Sequence, residues 1–193
     1  MPLKATDYAF IRALRTAQVL VDTDEHELRA TDRFVASACA DGDRTPELLD
    51  FHRGHCPEGC FHNQLRHGGP LALAEHSPLA YRDGLPHREC YLMELRESCE
   101  IKNTKILALY PHFPCSAAAK YGISAEQAFD LTVEAKLYLK KHIDGADVRI
   151  FVHVDYDGHP QATSGGRFKT YFFRRQRYEE WKLELQASVA KSA

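Results

Sequence analysis

Apolar positions along the chain follow two periods, and most of the elements can be read from them. Tyr8, Ile11, Leu14 and Val19 recur at near-helical spacing behind Thr6 or Asp7, which predicts an amphipathic helix over residues 6–21. Residues 22–32 are polar and read as a loop or a frayed second helix. Residues 33–40 (RFVASACA) read as a strand, ended by the Asp41-Gly42-Asp43 turn. Pro86 suits a helix start and opens one over 87–99, with Asn103 making the turn. The apolar run KILALY (105–110) is short enough to be a buried strand. Pro111 and Pro114 break it, and a helix begins near Cys115 and stops at Gly122. Ser124 caps the next helix, which has Glu126 and Gln127 in its first turn and runs to about His142. Residues 148–156 form a second central strand, 157–166 a Gly/Pro/Ser loop, 167–173 a third strand and 174–190 a closing helix. The order β, α, α, β, β, α behind an initial helix predicts an α/β domain with three α/β/α layers and a mixed central sheet.

Residues 45–86 resist this reading. Five prolines and five glycines interrupt them, and only a short helix within 71–80 can be placed. They are too rich in His, Cys and Phe for a spacer, so they read as a functional insertion in a single domain spanning 1–193.

Composition narrows the function classes. The net charge is −2 with histidine neutral, so the whole chain is no polycation built to hold nucleic acid. No apolar run approaches the ~20 residues that cross a bilayer, and Asp7 and Arg12 interrupt the first segment, unlike a signal peptide. A reducing cytoplasm is expected, with an exported toxin lacking such a signal left open. In that setting six cysteines are thiols or metal ligands rather than disulfides. Seven of the 11 histidines crowd between His52 and His112, beside five of the cysteines, which makes zinc the first candidate cofactor.

Two short segments then carry the chemistry. His87-Arg88-Glu89 opens one helix, and Pro114-Cys115 lies at the junction of a buried strand with the next. Zinc needs neutral imidazole and thiolate ligands, and a helix N-terminus favours the thiolate of Cys115. Glu89 would reach the same space as a proton carrier. HRECYLMEL (87–95) followed by KILALYPHFPCSAAAKYGI (105–123) resembles the zinc-dependent cytidine deaminase-like superfamily, whose signature is H-x-E…P-C-x-x-C. The likeness is closest to its polynucleotide and bacterial-toxin branches.

That resemblance implies His87 and Cys115 as zinc ligands and Glu89 as the proton shuttle. It implies hydrolytic deamination of a cytosine- or adenine-type base, in a nucleotide or single-stranded nucleic acid. The pattern's second cysteine falls on Ala118. Either a cysteine has been replaced there, or His112 or Cys90 supplies the third ligand, or the site is inactive. In the last case the module binds a nucleotide, a nucleic acid or a protein partner. A homo-oligomer is compatible with every version.

Two further groups are candidates. His52, Cys56, Cys60 and His62, with His55 and His67 nearby, match zinc spacings loosely and would make a second metal site, or else line the mouth of the first. In an unrelated α/β domain the same loop would hold a structural zinc. Arg167, Lys169, Arg174 and Arg175 alternate with Tyr171, Phe172 and Phe173, a pattern that suits nucleic acid. It equally suits a strand and helix with aromatics inside and charges outside, and Glu179, Glu180 and Glu184 dilute the positive field.

Overall fold

The computed structural model describes residues 2–23, 29, 32–42, 45–156 and 167–192. The first helix, α1 (Ala5–Thr16), is shorter than its apolar pattern, because Leu20–Asp22 turns back as strand β1. Strand β2 (Arg33–Cys39) is buried at every residue after Arg33, as a central parallel strand must be. The segment 45–86 is more regular than its prolines and glycines suggest. It holds helix α2 (Thr45–His55), strand β3 (Cys60–Arg66) and a short 3-10 helix (Gly69–Leu73). Only that one turn forms where a helix within 71–80 was expected.

Helix α3 (His87–Lys102), strand β4 (Ile106–Tyr110), a two-residue strand β5 (His112–Phe113) and helix α4 (Ser116–Lys120) follow. Helix α5 (Ala125–His142) has the expected capping box between Ser124 and Gln127. Strands β6 (Asp147–Asp155) and β7 (Phe168–Phe173) and helix α6 (Arg175–Ser192) complete the chain. Asp43, most of 22–32 and the loop expected at 157–166 lie outside the described residues.

The seven strands form one mixed sheet in the order β1-β7-β6-β4-β2-β3, with β5 also pairing β6. The β3, β2, β4 and β6 ladders are parallel, and β6–β7 and β7–β1 are antiparallel. Helices α1, α3 and α5 and the 3-10 turn cover one face around Leu14, Val35, Leu95, Leu109, Ala135 and Val152. Helix α2 covers the other through Leu48 and Phe51, over Phe34, Ala36, Tyr110 and Phe151. The mixed three-layer α/β architecture is therefore present.

The strand order fixes where chemistry belongs. After β2 the chain crosses to β3 on one side, and after β4 it crosses to β6 on the other. The carboxyl ends of β2 and β4 diverge into a crevice, the usual ligand position in an open α/β sheet.

Candidate metal centre

Three donors meet at that crevice. Cys39 is the last residue of β2, His112 opens β5 just past the end of β4, and Cys115 is the N-cap of α4. Their ligand atoms all lie within 4.8 Å of one another, and all three residues are buried. The two sulfurs are 4.0 Å apart, and all six cysteines are free thiols.

The donor set fits zinc. Tetrahedral coordination with Zn–S bonds of about 2.3 Å sets sulfurs about 3.8 Å apart. Both ring nitrogens of His112 are buried without an aligned hydrogen bond, an expensive state for an imidazole that no ion engages. The two thiols are shifted in opposite directions. Cys39 is pushed up, chiefly because it hydrogen-bonds Cys115 and is buried. Cys115 is pushed down by that bond, by the adjacent His112 ring and by the Ala118 N–H. A zinc ion held here would keep both sulfurs as thiolates.

The surrounding backbone fixes the sulfurs. The N–H of Gly68 donates to Cys39 Sγ at 3.3 Å. Gly69 has φ +55° and presses on the Cys39 backbone: an added Cβ would stand 2.6 Å from the Cys39 nitrogen. Only glycine allows both that dihedral and that approach. Beyond Cys39, Thr45 anchors the start of α2, donating its N–H and its Oγ1 to the Asp41 carbonyl at 3.1 and 3.0 Å. A cavity of about 10 Å³ adjoins the ligands, bounded by Ala38, Thr45, Leu48, Tyr110 and His153. That is room for about one water.

These positions correct the ligand set implied by the deaminase resemblance. Cys115 and His112 belong to the cluster, but the second thiolate is Cys39, from the neighbouring strand. Ala118 needs no replacement and is buried in the core. His87 is the first residue of α3, with its Nδ1 3.4 Å from Arg82. Glu89 is exposed and ion-paired to Arg88, its carboxyl held down by a hydrogen bond from its own backbone N–H and by that arginine. Cys90 is exposed on the same helix. None of these three joins the donor cluster.

The second histidine-cysteine group does not assemble among the described residues. His52 is fully buried, with its ring 4.6 Å from Phe34, 4.9 Å from Phe61 and 4.9 Å from Tyr110. Burial lowers its pKa to about 3, so it is neutral. His55 bonds the Phe51 carbonyl through Nδ1 at 2.8 Å. Cys56 is buried while Cys60 is exposed, and His62 contacts Gln64.

The basic stretch follows the inside-outside pattern. Arg167 pairs with Asp155, Lys169 with Asp22 and Arg175 with Glu179, while Arg174 is exposed. Tyr171 and Phe173 are buried, so they offer no platform for stacked bases. No helix among the described residues is long and apolar enough to cross a membrane.

No family model matches the chain, and no curated protein does. Three solved chains are similar in shape. One is a β-carbonic anhydrase, isoform I, of the protozoan Trichomonas vaginalis. It is 11% identical over 86% of this chain and 94% of that one, with a TM-score of 0.40. An overlap that loose transfers no activity by itself. The cytidine deaminase-like identity and its nucleobase chemistry are overturned at the site itself: the donor cluster recruits Cys39 and leaves out His87 and Glu89.

Proposed function

We propose that the chain is a zinc enzyme that adds water to a very small, neutral electrophile, with carbon dioxide as the first substrate to assay. The observation that carries this reading is the buried Cys39-His112-Cys115 cluster at the carboxyl ends of β2 and β4. Three protein ligands leave a tetrahedral ion one position for chemistry, whereas structural sites are closed by four. Zinc bound there supplies Lewis acidity and an activated water.

The chain's own residues do the rest. Cys39 and Cys115 hold the ion as thiolates, steadied by the N–H groups of Gly68 and Ala118. Ala38, Leu48 and Tyr110 make the adjoining wall apolar and shed bulk water. A cavity this small disfavours a nucleobase. Carbon dioxide is small and neutral, and the neighbour of similar shape is named a carbonic anhydrase. Its hydration forms one C–O bond and releases one proton.

The test is stopped-flow hydration of carbon dioxide by zinc-loaded protein, beside His112→Ala. Zinc-dependent turnover that the substitution abolishes is expected. A zinc-loaded chain with no turnover, which unfolds on chelation, would instead make the ion structural.

A further inference from the structure

We infer that His153 is the gate residue between the metal centre and the open surface, and that it sets the size of what reaches the zinc. This rests on the metal reading above. His153 lies on β6 directly opposite His112 in the parallel β5–β6 register, so both side chains leave the sheet on the face covered by α2. It bounds the small cavity beside the ligands. It also bounds a separate open cleft of about 410 Å³, walled by Glu47, Asp50, His55, Phe168 and Lys169. Among the described residues it is the one lining residue the two spaces share, which places it between them.

The imidazole is held in place. His153 Nδ1 lies 2.9 Å from Thr170 Oγ1, its partner across the antiparallel β6–β7 ladder. The Phe168 ring stacks on the imidazole at 5.8 Å and 16°. Only 3% of the residue is exposed. A ring fixed on two sides and facing a one-water cavity admits a small molecule with little movement and excludes a larger one. Removing the ring joins cleft and cavity, and removing its anchor lets it swing.

The experiment follows zinc removal by dipicolinate, a planar chelator much larger than the cavity, from the zinc-loaded chain. His153→Ala is expected to accelerate stripping by at least roughly tenfold, equivalent to about 1.4 kcal/mol of barrier. His153→Phe keeps a ring of similar size but loses the Thr170 bond, so it is expected to strip faster than the parent and slower than His153→Ala. Thr170→Val keeps the imidazole and removes its anchor, so it should accelerate stripping even if His153→Ala fails to fold. Equal stripping rates in a parent and variants that each carry one zinc would overturn the gate and leave the metal reading standing. A parent that binds no zinc would overturn both.

Discussion

Two groups of histidine and cysteine stand in this molecule, and among the described residues only one brings its donors within metal-binding reach. His52, Cys56, Cys60 and His62 lie close together along the chain. Cys39, His112 and Cys115 are spread across two strands and a helix start. The structure inverts what proximity in sequence suggests. Helix α2 turns His52 into an aromatic box, while strand β3 carries Cys60 to an exposed position at the sheet edge. The diverging ends of β2 and β4 bring Cys39 against Cys115. A metal site is made by where strands end, so ligand spacing within a loop is a poor guide when the loop folds into a helix and a strand.

The largest expected difference between the two groups is in zinc affinity. Cys115→Ser or Cys39→Ser should weaken binding by more than about 100-fold, beyond the loss typical of an outer-shell change. Cys60→Ser and His62→Ala should leave it unchanged. Competition titration with a chromogenic chelator reads both, and equal losses in the two groups would erase the distinction.

The aromatic box has its own signature in acid. The folded chain lowers His52 from its ordinary 6.5 to about 3. Between those values the unfolded chain binds a proton that the folded one refuses. The stability tied to His52 is therefore complete above about pH 6.5 and falls by up to about 1.4 kcal/mol per pH unit below it. Urea denaturation of metal-free protein at pH 7 and pH 5 should show a smaller loss in His52→Leu than in the parent. Equal losses would place the histidine in a more open setting.

Gly69→Ala probes the support of the metal centre from the backbone side. The left-handed dihedral alone costs about 1–2 kcal/mol with a side chain, and the crowded Cys39 backbone adds to it. Both stability and zinc affinity should fall together, measured by denaturation and chelator competition on one preparation. Ser124→Ala supplies the contrast. It removes the α5 cap for about 1 kcal/mol of stability and should leave zinc affinity unchanged.

The same contrast shows what the sequence made legible. The chain from Pro86 onward reads well, because apolar runs and caps such as Ser124 coincide with real boundaries. His112 and Cys115 were visible as candidate ligands beside a strand end. Cys39 was placed correctly on a strand yet missed as a ligand, because its partners are remote and nothing local marks it. The available signal was a cysteine closing an apolar strand just before the Asp41-Gly42 turn.

Helix α2 was hidden by Pro46, which looks like a break and in fact occupies the second helical position, where it sacrifices no helix hydrogen bond. Strand β3 was hidden because an edge strand with half-exposed His62, Asn63 and Gln64 has no apolar alternation. The motif H-x-E misled because a glutamate two residues past a histidine also suits an exposed helix start, where Glu89 needs only Arg88.

Zinc-edge X-ray absorption on the purified, zinc-loaded chain reads the ligand set itself. Two sulfur neighbours at about 2.3 Å with an imidazole nitrogen are expected, falling to one sulfur in Cys39→Ser. A parent spectrum with a single sulfur, or one unchanged by Cys39→Ser, would contradict that ligand set.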